Sequence, residues 1–387
     1  MLSKVFSNKF INIKRIIIII LALGFFIFLY FFNQVNKVEL TNQKGTSFDK
    51  AVVEEVVKDN IQKDGSRVGN QDVRVKMLSG AMKGKILNAT SFSGYLYGAD
   101  CKKNMKVIVS LSKSQNNYAA SVYSYDREPI LYGFVGLFIL ILWLIGGRKG
   151  FKSAIALIFT FICVIFLFIP MLYKGYSPFL AAVIVGILTT IVTMYLIAGL
   201  SVKTIASILG TVMGVVIAGI FATGFGYFAK ISGYNVTEVE ELVYLGAKAH
   251  LDVGGILFAG ILIASLGAVM DVSISVASTI NEIYDKNTEL TSRELFASGI
   301  NVGRDMMGTM SNTLILAFTG GAINTLILIY SYDMKYNQIV NMYSVGIEVM
   351  QGISGSIAVI LTVPLVSFIT SKLLKSKVIK DLYIGKI

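Results

Sequence analysis

The chain has 387 residues, of which 55% are hydrophobic and only 15% charged, and its mean hydropathy is +0.70. Soluble domains carry roughly 25% charged residues, so water is excluded as the solvent for most of this sequence. The net charge of +12 does not point to nucleic acid, since no basic face interleaved with stacking aromatics accompanies it. The two cysteines, Cys101 in a polar segment and Cys163 in an apolar run, make no disulfide framework.

In chain order, apolar windows predict eight membrane spans near residues 16–32, 130–147, 153–172, 179–200, 204–229, 253–273, 306–330 and 353–371. Each approaches or exceeds the roughly 20 helical residues that a hydrocarbon core requires. The first span follows Lys4, Lys9, Lys14 and Arg15 and lacks a small-residue cleavage pattern, so residues 1–32 read as a cytoplasmic N-terminus and an uncleaved signal anchor. Residues 33–129 change texture. They are polar, with β-rich stretches Val73–Leu78, Lys106–Leu111 and Tyr118–Tyr125, and read as a mainly-β extracytoplasmic domain, a sandwich or a small barrel. Residues 130–372 hold the other seven spans, and residues 373–387 form a basic tail.

Lysine and arginine sort by side. Alternate short segments carry sixteen of them on one side and four on the other, which puts both termini of a multi-pass protein in the cytoplasm. The expected fold is an α-helical polytopic membrane bundle of about eight transmembrane helices, with the small mainly-β domain after the first helix.

Enzyme signatures are missing. There is a single histidine, and HExxH, CxxC, P-loop and GxSxG patterns do not occur. No catalytic residue, cofactor or metal is therefore expected. Gly224-Phe-Gly-Tyr-Phe-Ala229 fits a loose dinucleotide pattern, but it closes a membrane span rather than following a strand. With Gly210, Gly214 and Gly219 it reads as a set of small residues that let helices approach closely.

The informative stretch is 246–312. Asp271 lies in an apolar run, where a carboxylate costs roughly 2.5–3.5 kcal/mol on insertion scales. At helical spacing Ala264, Gly267, Asp271, Ser275, Ser278 and Glu282 share a face about 80° wide, which is expected to point into the bundle. Thr291 and Glu294 make a capping-box pattern for the next helix. On it Asn301, Asp305, Gly308 and Asn312 share a face, flanked by Arg304 and Thr309. Antiparallel neighbours joined by a short loop pack together, so Asp271 is expected to face Arg304 or Asn312. This set (Asp271, Arg304, Asp305, Asn312, Thr309 and Ser275) is either an ion or proton path or a structural pair that glues two helices. Toward the other membrane face, His250, Asp252 and Glu348 are outer-side candidates, and His250 reads either as an interfacial histidine, the plainer case, or as a proton-uptake point.

Two stretches carry a family likeness. Gly267-Ala-Val-Met-Asp271-Val-Ser-Ile-Ser-Val-Ala-Ser278, and then Ser298 through Ala317 with Asn301, Gly303, Arg304, Asp305, Gly308, Thr309 and Asn312, resemble the signature segments of the YibE/YibF family of bacterial membrane proteins. The resemblance covers residues 130–371 and implies a bacterial cytoplasmic-membrane protein. A looser pattern, an intramembrane Asp on a Gly-rich helix followed by a polar helix carrying Arg, is similar to RND-type proton-driven proteins, though the Asp is offset by about one position and the chain has two more helices. The functional expectation is a permease or ion-coupled transport component. The alternative is a membrane scaffold or envelope-assembly factor that binds a partner through the extracytoplasmic domain. Expected partners are the lipid bilayer and, among proteins, a second YibE/F-like membrane subunit or further copies of the chain; nucleic acid is not among them.

Overall fold

The computed structural model describes residues 20–35, 45–63, 67–92, 98–114, 117–237 and 239–376. Residues 16–19 of the expected anchor and 377–387 of the expected tail lie outside that set. The chain divides into two compact units, Val38–Ile145 and the combination of Met1–Lys37 with Gly146–Ile387.

The first unit is a closed five-stranded barrel. Its strands are β1 (Thr46–Lys58), β2 (Asn70–Met77), β3 (Ile86–Phe92), β4 (Lys106–Ser114) and β5 (Asn117–Tyr125), in the order β1-β2-β3-β5-β4 with β4 closing back on β1. All pairings are antiparallel except β3 with β5, where Ala89–Ser91 run parallel to Ala120–Val122. This is the connectivity of OB-type barrels. Strand alternation fills the interior: Val73, Val75 and Met77 of β2 point inward, opposite Ala51 and Val53 of β1 and alongside Val107, Val109 and Leu111 of β4, all at most 1% exposed. At the end of β1, Asp59 accepts from the Gln71 amide (2.9 Å), the Asn60 N–H (2.8 Å) and Arg67 (2.9 Å). These three donors hold its carboxyl below the usual range, the Gln71 hydrogen bond contributing most.

The second unit is helical. α1 (Ile20–Phe32) buries Leu29 in the helical core and sets Phe25 against Phe159, ring centroids 5.5 Å apart. α2 (Glu128–Cys163) begins in the barrel unit and loses helical geometry at Gly147 (φ 53°, ψ −134°), a left-handed conformation that suits glycine. A π-turn over Val164–Phe168 and α3 (Ile169–Tyr173) extend it. Then follow α4 (Pro178–Ala198), α5 (Val202–Ala229), the short acidic α6 (Val239–Ala249), α7 (Val253–Lys286), α8 (Ser292–Gly321), α9 (Ile323–Ser331), α10 (Tyr336–Val340) and α11 (Tyr343–Lys375). α5, α7 and α11 pack on one another, α8 lies along α11 and α7, and α4 along α5 and α7.

Among the described residues five helical segments are long and apolar enough to cross a membrane: Glu128–Tyr173, α4, α5, α7 and α11; a sixth is the α8–α9 pair if its bent halves count as one span. These segments point to a membrane protein. The expected count of about eight is not confirmed. The windows 130–147 and 153–172 merge into one 46-residue segment, 306–330 is broken at Ala322, and 16–32 is described only from Ile20.

The reading of the α5 glycines holds for three of four. A Cβ at Gly214 would strike Thr362 of α11 and Val269 of α7, and one at Gly210 or Gly219 would meet Val366 or Phe179. Gly224 has open space around it and permits no such contact.

Candidate functional site

α7 shows how the polar residues are placed. Its buried side carries Leu262, Leu266, Val269, Val272, Val276 and Ile280 against α5 and α11. Those residues occupy the arc opposite Asp271 at 100° per residue. Ala264, Gly267, Asp271 and Glu282 are exposed, Ser275 and Ser278 half-buried, and nothing lies within 4 Å of a Cβ built on Gly267. The expectation that this face points into the bundle is thereby corrected. The reason is plain packing: β-branched and leucine side chains fill the α5–α7–α11 core, and the small, polar side is what remains outside.

The same holds on α8. Gly299 and Gly303 press against Ser367 and Val363 of α11, while Asn301, Arg304, Asp305, Gly308, Thr309 and Asn312 are exposed. The Thr291–Glu294 capping box forms as expected and fixes where α8 starts. From the α7–α8 turn, Asp271 lies about 22 Å up α7 and Arg304 about 18 Å up α8 at 1.5 Å per residue, so the two stand at similar heights. They do not pair. Among the described residues the side chains of Asp271, Arg304 and Asp305 take part in no ion pair or hydrogen bond, which corrects the expected Asp271–Arg304 or Asp271–Asn312 contact. The Thr309 hydroxyl is spent on its own helix, donating to Met306 O at 3.0 Å.

Beside this face runs a cleft of about 380 Å³ between α2, α4 and α7, lined by Ser153, Thr160, Thr189, Thr193, Ala264 and Gly267. Gly267 is one helical turn from Asp271, so the cleft ends next to the carboxylate. Thr193 Oγ1 is buried there without a partner among the described residues.

The candidates at the other ends of the helices separate. His250 is exposed in a left-handed conformation (φ 55°) between α6 and α7. Asp252 is a structural N-cap of α7, accepting from Gly255 N–H at 3.1 Å. Glu348 alone of the three lines a cavity made with the α8–α9 break.

One group of polar residues escapes sequence reasoning. Thr190, Thr211, Ser273 and Ser367 are fully buried hydroxyls without partners among the described residues, and the Ser207 hydroxyl donates to Ser273 O at 3.2 Å across α5 and α7. Nothing in hydropathy separates a Ser or Thr inside such a bundle from one outside it.

No curated protein and no solved structure matches the chain. A family model described as YibE/F-like protein matches residues 134–376. That stretch takes in α4 through α11 and most of α2, and with them the two polar faces, the cleft and the helix break, so the likeness seen in the Asp271 and Arg304 segments extends over residues 134–376: the chain belongs to the YibE/F-like family.

Proposed function

We propose that this protein is an ion-coupled permease component of the bacterial cytoplasmic membrane, with the outward faces of α7 and α8 forming one wall of its ion path. The observation that carries the reading is the set of unpaired ionisable groups, Asp271, Arg304 and Asp305, at similar heights on the exposed side of two adjacent helices. Such groups facing hydrocarbon are costly, and in membrane proteins they turn toward protein or a water-filled cavity and mark pathways. Among its described residues this chain leaves them exposed and without a partner. A second copy or a second YibE/F-like subunit is the proposed other wall, and the small residues Ala264, Gly267 and Gly308 allow it close approach.

Eight crossings fit this reading. A 46-residue segment measures about 69 Å as helix against a hydrocarbon core of about 30 Å, so Glu128–Tyr173 serves as two spans divided at Gly147. With α1, α4, α5, α7, α8–α9 and α11 the total is eight, both termini lie in the cytoplasm, and the barrel is extracytoplasmic. The scaffold reading draws support from the barrel, whose OB-type connectivity recurs in binding modules.

Proton and sodium flux into proteoliposomes separates the two. The permease reading expects Asp271→Asn to fold and assemble while flux is lost. Wild type without flux, together with loss of assembly in Asp271→Asn, would leave the scaffold reading.

A further inference from the structure

α8 stops at Gly321 and α9 starts at Ile323 with its axis turned by 61°, inside a stretch that is otherwise apolar. A helix end releases its last carbonyls from the hydrogen-bond ladder and carries a partial negative charge. At this break the Ala322 N–H is shared between Phe318 O and Gly320 O. α11 passes alongside and closes a cavity of about 250 Å³, whose polar side chains are Thr319, Thr325, Ser344 and Glu348 and whose remaining lining includes Ile315, Phe318, Val345 and Ile353. No lysine, arginine or histidine lines it.

Glu348 is half-buried in this cavity. Among the described residues its carboxylate makes no ion pair and accepts no hydrogen bond, including none from the first N–H groups of α9, so it is not a helix cap. The polar side chains that line the space all end in oxygen, one carboxylate and three hydroxyls, of which Thr319's also donates to Ile315 O at 2.7 Å. Unwound backbone and half-helix C-termini are how membrane helices coordinate sodium or protons. One carboxylate balances one unit of charge. Calcium sites typically draw on several carboxylates, and no group of three or more His, Cys, Asp or Glu occurs among the described residues.

We propose that the α8–α9 break holds a monovalent cation of sodium size, bound by Glu348 together with the hydroxyls of Thr319, Thr325 and Ser344. The site is separate from the Asp271 face and stands whether or not that face conducts.

The test uses the purified full-length chain in detergent. Binding of 22Na is measured at pH 8 and constant ionic strength, with choline as the replacement cation and lithium and potassium as competitors. Wild type binds sodium saturably, with about one ion per chain; Glu348→Gln abolishes this binding, and Thr325→Val weakens it about tenfold by removing one ligand. Should Glu348→Gln fail to fold, Glu348→Asp and Thr325→Val carry the test, each expected to weaken binding without abolishing it. Three results overturn the proposal: saturable binding that survives Glu348→Gln, binding lost in Asp271→Asn but kept in Glu348→Gln, and a wild type that responds to pH but to none of the three alkali cations, which makes Glu348 a protonation site only. Sodium binding without flux leaves this site standing and removes the permease reading instead.

Discussion

Glycine substitutions test which way α7 and α8 are turned. Gly303 faces Val363, which is 1% exposed and has no room to yield, so the Cβ of Gly303→Ala must displace a packed side chain. Overpacking of this kind costs about 1–3 kcal/mol, partly offset by the roughly 0.8–1.0 kcal/mol that alanine gains over glycine within a helix. The net expectation is a loss of up to about 2 kcal/mol. Gly267 and Gly308 meet nothing within 4 Å in the single chain, so in protein dissociated to monomers alanine there keeps only the propensity gain. The two classes should differ by about 1–3 kcal/mol, or about 3–9 °C in melting temperature for a unit of this size. Cys163, fully buried in the helical core, supplies the reporter: in a Cys101→Ala background its reaction with a thiol dye on heating follows unfolding of the bundle. If Gly303→Ala melts like wild type while Gly267→Ala or Gly308→Ala loses several degrees, the polar faces point inward and the outward-face argument fails.

Four further outcomes follow from particular residues. Asp271→Asn should shift bundle stability by less than about 1 kcal/mol, because no partner is left behind; the 3–5 kcal/mol loss of a broken buried pair would restore the Asp271–Arg304 contact. The barrel should lose stability in acid: the depressed carboxyl of Asp59 contributes above its unfolded pKa of about 3.9 and stops contributing as pH falls through its lower folded value, so Asp59→Asn should flatten that pH dependence in hydrogen exchange of β1 and β2. On a background lacking Cys101 and Cys163, Ser292→Cys should be protected from an impermeant thiol reagent and Asn235→Cys should react, and reversal at either position removes the proposed orientation. Expressed alone, the barrel unit should melt cooperatively with a β-type circular dichroism spectrum, since it has its own core; a disordered fragment would show that it depends on the helices.

The sequence made the helices legible wherever apolar runs were long, and the α8 start wherever capping chemistry was explicit. It also showed which residues share a face: Ala264, Gly267, Asp271 and Glu282 do lie on one side of α7. Direction was another matter. Periodicity groups residues without saying what lies opposite, and here the opposite arc, Val269, Val272, Val276 and Ile280, is the better core former. In the barrel, β2, β4 and β5 were visible, but β1 and β3 were not; in β1, irregularities between Val53 and Glu55 and between Val56 and Lys58 break the alternation. The α8–α9 break had a signal in the pair Gly320-Gly321, which hydropathy averages over. The hydroxyls that gather at that break come from helices far apart in sequence, and no local pattern joins Thr319 to Ser344 or Glu348.

Closure of the barrel has a consequence for how it meets other molecules. Because β4 returns to β1 and β5 bridges to β3, the sheet presents no free strand along which an incoming extended segment can add itself by main-chain hydrogen bonds. Recognition is left to side chains on the outer surface and to the connecting loops. The weakest place in that closed wall is the parallel seam, where among the described residues of β3 Ala89, Thr90 and Ser91 find partners in β5, so a molecule that does recruit backbone from this unit has to part β3 from β5 first.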